Sequence, residues 1–427
     1  MKTFNFKNYI ARIPQIIYLS YTIKWLLLSL IIGAIIGSAS AFFLTSLNWV
    51  TNWRESHVWV IAFLPLGGLA VGIIYHYFGS RVVKGNNLIL EEYQSPKKII
   101  PFRMAPLVLF GTLITHFFGG SAGREGTAVQ MGGAIADQFT GFLKLKESDR
   151  KIILIMGISA GFASVFGTPL AGSIFALEVM VLGRIRYEAL LPSLLVAVIA
   201  DYSCKAWNVG HTHYSVPGVP EITPDAILWV ILSGILFGLT ALLFSKAVRF
   251  CTALFSDKID YPPLRPFVGG VFIALSVWML GTTEYVGLGV PVIEAAFVQH
   301  LPVYAFILKL LLTALTLGAG FKGGEVTPLF FIGAALGNAL FLVFPLPMAL
   351  LAGMGFVAVF AGATNTPIAC TVMGIELFGI ESGVYIGLAC FVAYLFSGHT
   401  GIYSSQVIGS PKHLLYGKVK GKSLKDL

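Results

Sequence analysis

The chain has 427 residues, of which 56% are hydrophobic and only 11% charged. A soluble domain needs roughly a quarter of its residues charged to cover its surface, so this composition excludes a water-soluble enzyme or binding module and points to a polytopic membrane protein. The net charge of +9 does not argue for nucleic acid, because the basic residues sit at the edges of apolar runs and no polar domain is present to carry such a surface.

Lys2, Lys7, Arg12 and Lys24 precede the first long apolar run. A cleaved signal peptide ending near Ala39-Ser40-Ala41 is set aside, since the apolar stretch continues to Val50, well past the ~7–15 residues of a signal core. Further apolar runs recur to the region of Phe396, many near the ~20 residues that span hydrocarbon, and suggest about ten or more membrane segments. Some are short or broken by Gly and Pro, as in 119–133 and 318–333. Irregular backbone at membrane depth survives only where protein or a watery cavity surrounds it, so these breaks point to a transport site.

The first break reads Gly119-Gly120-Ser121-Ala122-Gly123-Arg124-Glu125-Gly126-Thr127 and leads into a helical pattern. Glycines let the backbone approach a small ligand, and the following helix aims its free N–H groups and positive dipole end at that point. An anion can sit there without a lysine. Glu125 falls at the same place, and a carboxylate in a membrane helix costs on the order of 3 kcal/mol. Ionised, its carboxylate can occupy the anion site; protonated, it can leave, so one side chain couples protons to anions. An ion pair with Arg124 is the competing explanation, disfavoured because adjacent residues in a helix do not face each other.

Residues 208–224 interrupt the apolar pattern with Pro217, Gly218, Pro220 and Pro224. On either side of this connector the chain repeats itself. A shift of 200 matches Gly120 with Gly320, Gly123 with Gly323, Glu125 with Glu325 and Thr127 with Thr327, and a shift of 198 matches Thr168 with Thr366, Pro169 with Pro367, Ala171 with Ala369 and Glu178 with Glu376. The expected organisation is one transmembrane domain over 1–427, with repeats at about 22–207 and 225–405 and a basic tail at 406–427. The repeat pattern alone leaves open whether the halves are parallel or inverted. Lys412, Lys418, Lys420, Lys422 and Lys425 follow the last apolar run, so both termini are expected on the cytoplasmic side of the inner membrane. Cys204, Cys251, Cys370 and Cys390 lack metal-ligand spacing and read as packed thiols. His76, His116, His211, His213 and His399 read as ordinary loop or core residues, and Phe330, Phe331, Phe391 and Phe396 as packing. No zinc pair, nucleophile elbow or phosphate loop supports a membrane hydrolase, and neither metal nor cofactor is expected.

Four ordered motifs resemble the CLC family of anion channels and transporters: Gly123-Arg124-Glu125-Gly126, Pro169-Leu170-Ala171-Gly172 with Glu178, Gly323-Gly324-Glu325-Val326-Thr327-Pro328, and Ile402-Tyr403-Ser404. The resemblance spans nearly the whole chain. It implies an all-α membrane protein of two inverted-topology repeats whose broken, tilted helices meet at a central anion site, and a homodimer with one pore per subunit. It also implies Glu125 as the gating glutamate, an anion site built from Asn86, Gly123, Gly126, Val326, Thr327 and Tyr403, and an accessory path at Glu325 and Thr127. The nucleotide-binding tail of many relatives is not expected.

Departures from the chloride-handling pattern resemble the fluoride-exporting branch. Gly85-Asn86-Asn87-Leu88-Ile89 stands where those members carry a serine that contacts the anion, Thr127 stands where they have proline, and Glu325 where they have an aliphatic residue. Val179 stands where proton exchangers carry an inner glutamate, and Glu178, one position earlier, points about 100° away. Fluoride is small and strongly hydrated, so its site needs strong donors such as the Asn86 amide and the Thr327 and Tyr403 hydroxyls. Asn86 could instead serve a turn, Tyr403 an interface, Thr327 its own helix and Glu325 a helix cap. The expected function is fluoride/proton antiport, with a chloride/proton exchanger or a passive anion channel as the alternative.

Overall fold

A computed structural model describes residues 14–212 and 214–427. Lys2, Lys7, Arg12 and His213 lie outside them. Among the described residues the first repeat contains α1 (Pro14–Ser56), α2 (Leu64–Phe78), α3 (Asn86–Gln94), α4 (Met104–Phe117), α5 (Glu125–Phe142), α6 (Glu147–Phe166), α7 (Pro169–Glu178) and α8 (Leu190–Lys205). The second contains α9 (Pro224–Lys258), α10 (Leu264–Leu280), α11 (Val290–Ala295), α12 (Ala305–Gly318), α13 (Val326–Leu340), α14 (Met348–Thr364), α15 (Pro367–Phe378) and α16 (Gly383–Phe396).

Helix lengths depart from a simple bundle of spans. Four helical stretches, Gln15–Ser56, Val58–Phe78, Tyr187–Lys205 and Pro224–Lys258, are long and apolar enough to cross a bilayer. Most of the others are shorter, and helix ends that stop inside the protein leave backbone groups that must find partners. The outer surface is apolar: Trp278 and Met279 are 80% and 79% exposed and Phe142 84%. Lipid covers such a surface at no cost, whereas water would not.

Because lipid is as apolar as leucine, helices in a membrane associate by close packing rather than by hydrophobic exclusion. Glycines provide it here in both repeats. A Cβ on Gly132 of α5 would stand 2.2 Å from the Gly157 carbonyl oxygen of α6, and one on Gly333 of α13 would stand 2.0 Å from the Gly355 carbonyl oxygen of α14. The helices carrying the two signature motifs are thus pressed backbone to backbone against equivalent partners.

The far end of α5 is fixed by charge. Arg150 donates from Nε and Nη2 to the two oxygens of Asp137, each at 2.8 Å, and Asp137 also accepts from the Ile100 amide at 2.8 Å. Such a bidentate pair, with its remaining lone pairs satisfied, is the geometry in which a buried ion pair is tolerated.

Glu178, at the end of α7, accepts from the amides of Ile368 and Ala369 at 3.2 and 2.9 Å, at the start of α15. Glu376 of α15 returns the contact, accepting from Leu170 and Ala171 at 3.0 and 2.7 Å, at the start of α7. Each helix lends a carboxylate to the other's positive end, so the two run antiparallel, as an inverted pair must. Past the helices, a two-residue strand β1 (Val181–Leu182) pairs in parallel with β2 (Val407–Ile408) and ties the C-terminal tail to the end of α7.

Gly333→Ala and Gly132→Ala insert a methyl where no space exists. Each should lower the thermal stability of the detergent-purified protein by about 1–3 kcal/mol. A melting midpoint equal to that of the unmodified protein would show that these contacts are not needed to hold the helix pairs.

Candidate functional site

The two glycine-rich segments, 119–124 and 320–325, meet at the centre of the molecule. Gly123 donates its amide to the Gly324 carbonyl at 2.6 Å, and Gly324 donates back to Gly123 at 2.7 Å. They form a single antiparallel bridge across the repeats. Glycine is obligatory here: Gly323 has φ +154°, and a Cβ on Gly324 would lie 2.7 Å from the Gly126 nitrogen. Directly after this bridge α5 begins at Glu125 and α13 at Val326. Two helix N-termini, with unpaired first-turn amides including those of Gly126 and Val326, therefore converge on one small volume, a setting suited to negative charge.

The Glu125 carboxylate fills it. Fully buried, it reaches across the repeat boundary, accepting from the Thr327 amide at 3.0 Å. The Thr327 hydroxyl lies 2.7 and 2.6 Å from its two oxygens and shares its one proton with them. The carboxylate thus supplies the negative charge that the start of α13 favours.

Arg124 also contributes, contrary to the sequence argument. Its amide donates to Glu125 Oε2 at 3.2 Å, and its Nε lies 3.5 Å from Oε1. The expectation assumed both residues in one helix; Arg124 instead precedes α5, with φ −109° and ψ −26°, and its side chain folds back. The bond to Thr327 is shorter and better aligned, so Arg124 supplements it.

The remaining expected residues divide. Thr127 turns to Thr112 of α4, hydroxyl to hydroxyl at 2.7 Å, so it braces α5 against α4. Asn86 opens α3, after Gly85 with φ +56°, and its amide faces α5: Nδ2 lies 3.3 Å from the position a Gly126 Cβ would take. Its Oδ1 is buried without a partner. Glu325 Oε2 is 3.7 Å from the same Gly126 position, and Glu325 makes no side-chain cap to α13. The helix-cap alternative for Glu325 is therefore not the geometry found.

Below Asn86 and Glu325 opens a chamber of about 200 Å³, lined among others by Lys84, Asn86, Gln130, Lys322, Glu325 and Tyr403. Tyr403 is 4% exposed, and its loop is held by the Ile402 amide on Ala363 and by the Ser405 amide on Asn87 Oδ1, each at 2.9 Å. A separate void of about 10 Å³ lies between Asn86, Phe175, Val179 and Tyr403, at the lower limit for one water. Among its described lining residues none is a carboxylate, and Glu178 is committed to capping α15.

Sequence reasoning missed Gln130, Lys322 and Thr112. Gln130 stands one helical turn beyond Gly126, the spacing that puts two residues on one face. Lys322 directly precedes Gly323-Gly324, and a charge beside a glycine break was the available signal. Thr112 carried none.

The family model described as "Voltage gated chloride channel" matches residues 67–398. A "Chloride/fluoride channel protein" of Pseudomonas syringae is 52% identical over 408 residues, covering 94% of this chain and 90% of that protein. An "H(+)/Cl(-) exchange transporter ClcA" of Vibrio vulnificus is 28% identical, covering 95% and 92%. Among solved structures, the crystal structure of a CLC-type fluoride/proton antiporter superimposes with a TM-score of 0.87 at 37% identity, over 90% of this chain and 97% of that one. A slow cyanobacterial Cl-/H+ antiporter shares the fold, with a TM-score of 0.79 at 22% identity. Converging helix ends, a carboxylate seated between them and a family model and relatives that cover most of its length place this chain in the CLC family of membrane anion channels and transporters.

Proposed function

We propose that this protein is a secondary antiporter that exports fluoride in exchange for entering protons, with Glu125 as the gate that both ions displace. The observation that carries the reading is the Glu125 carboxylate seated on the amide and hydroxyl of Thr327. An anion arriving there must evict the carboxylate, and a carboxylate leaving that site for a less polar place is favoured to take a proton. One side chain then enforces the exchange.

Fluoride is the anion favoured by three features. The Asn86 amide stands beside Gly126, and an amide can turn its donor end toward a small, strongly hydrated ion. Glu325 adds a second carboxyl group that can hold a proton near the path; two ionised carboxylates so close to an anion would repel it and each other. The relatives described as a chloride/fluoride channel protein and as a fluoride/proton antiporter are 52% and 37% identical. The apolar void at Val179 leaves Glu125 itself to carry the proton inward toward Glu325, since valine cannot titrate.

Topology follows from the positive-inside rule. Lys84 bonds Glu91, which also receives Lys425 from the tail, and the backbone amides of Lys97 and Lys98 donate to Glu92 nearby. This basic side, on which the chamber lies, is cytoplasmic in our reading, with both termini there. We also infer a homodimer with one pore per subunit in the inner membrane.

A passive channel would keep the same site but let the anion pass without proton exchange. Fluoride-driven proton uptake by the unmodified protein in liposomes separates the two. Glu125→Gln should abolish that uptake while leaving the protein folded; uptake at the unmodified rate would remove Glu125 from the coupling. Asn86→Ser replaces an amide with the hydroxyl of the chloride pattern. It should narrow the fluoride-over-chloride preference by about tenfold, the value of one hydrogen bond to a charged group, and equal transport of both ions by the unmodified protein would contradict the assignment of the anion. Glu325→Ala should slow exchange by about tenfold or more, a barrier increase of ~1.4 kcal/mol, with an unchanged melting midpoint. Unaltered exchange in that variant would leave Glu325 outside the cycle.

A further inference from the structure

The chamber beneath Asn86 and Glu325 contains a cation that the coupling scheme does not use. Lys322 lies in the extended segment leading into α13, and its stem packs over α4: a Cβ on Gly111 would stand 2.9 and 3.0 Å from the Lys322 Cβ and Cγ. Its Nζ sits 4.2 Å from the centroid of the Tyr75 ring of α2. The side chain is thus pinned between two helices, with its ammonium at the wall of the cavity it shares with Asn86, Gln130, Glu325 and Tyr403.

The other ammonium on that wall differs. Lys84 is 57% exposed in its side chain and paired with Glu91 at 2.7 Å, so its charge is spent on a neighbour and screened by solvent. Lys322 is half-buried and forms no ion pair with a carboxylate among the described residues, and the aromatic face of Tyr75 replaces only part of its hydration shell. An ammonium with part of its hydration removed is stabilised by negative charge nearby. Two sources can reach this one: ionised Glu325 on the same wall, or an anion inside the chamber.

We propose that Lys322 is a positioning residue for anion entry: it draws a hydrated halide into the chamber and holds it there before the ion passes Asn86 and reaches Thr327. A volume of about 200 Å³ is more than ten times the ~10–15 Å³ that admits one water, so an ion can wait there with water around it. Lysine suits that task. Its ammonium is a compact, strongly hydrated point charge, whereas the fork of an arginine is shaped for carboxylate or phosphate. A point charge recognises sign rather than size, so Lys322 sets how readily an anion enters, and Asn86 and Thr327 decide which anion proceeds. When Glu325 loses its proton, its carboxylate competes for the ammonium and releases the waiting ion, which links occupancy of the chamber to the protonation of the path.

The inference rests on the exchange reading, but the two fail separately. The test measures initial fluoride/proton exchange rates in liposomes against fluoride concentration on the chamber side, for the unmodified protein, Lys322→Met and Lys322→Arg. Lys322→Met should raise KM for fluoride by about tenfold, the loss of a ~1.4 kcal/mol interaction. The number of protons moved per fluoride and the fluoride-over-chloride ratio should stay as they were, and Lys322→Arg should recover most of the affinity. A merely structural lysine would instead lower the maximal rate and the melting midpoint together, leaving KM in place. An unchanged KM in folded Lys322→Met overturns the proposal, as does a changed anion ratio with KM unaltered. If Lys322→Met does not fold, the unmodified protein decides: its KM should rise severalfold as ionic strength increases with an inert salt, and a KM independent of salt overturns the proposal. Absence of proton coupling in the unmodified protein would strike the exchange reading and leave the KM comparison still informative.

Discussion

Two helix N-termini must hold one negative charge between them, with a single guanidinium, that of Arg124, beside it. Everything near the centre of this protein follows from that constraint. The helices can converge only if the segments leading into them touch, and they touch through the paired amides and carbonyls of Gly123 and Gly324. Any Cβ there would push the ends apart. Once converged, the free amides and dipoles create a site that would be costly if empty and is stabilised by any anion, including a carboxylate of the protein itself. Glu125 is that carboxylate, and because it belongs to one repeat while Thr327 belongs to the other, the contact that closes the site also joins the halves.

The same economy of charge recurs farther out. Glu178 and Glu376 exchange caps between α7 and α15, so a second pair of helix ends buried in the protein is satisfied by acids rather than by water. Here both acids are fixed by two amides each, whereas at the centre Glu125 is held by a hydroxyl, two amides and a guanidinium 3.5 Å away. Fixed acids make a scaffold; in the function we propose, the acid at the centre is exchangeable and makes a gate. Close glycine packing of α5 on α6 and of α13 on α14 keeps the helix ends from relaxing when the gate leaves. Motion is then concentrated in one side chain.

Much of this was readable from residue types and spacing. The glycine breaks, the position of Glu125 at the start of a helix and the offset repeats all carry local physical signals, and the 198-residue offset even paired Glu178 with Glu376 before any reciprocal capping was visible. That capping needed the antiparallel docking of two helices, which a repeat pattern does not specify. Asn86 and Tyr403 carried weak local signals, since an amide at a turn and a tyrosine near a helix end have common structural uses; the family motifs singled them out. Arg124 was misjudged because it lies just before the helix rather than within it, and helix limits are uncertain by a residue or two. Thr127 was expected on the accessory path by its place in the motif, yet its hydroxyl bonds that of Thr112, a residue with no signal of its own. Lys322 and Gln130 carried only a spacing signal each, and what joins them is a cavity closed by several separate segments.

If the carboxylate and the anion compete for one site, binding of fluoride must be linked to protonation. The most direct measurement is calorimetric titration of the purified, detergent-solubilised protein with fluoride, repeated in buffers of different ionisation enthalpy and at several pH values. Displaced Glu125 should take up a proton, so the account predicts uptake of about one proton per fluoride bound and an affinity that rises as pH falls. Fluoride binding with no proton uptake, and with an affinity indifferent to pH, would contradict it.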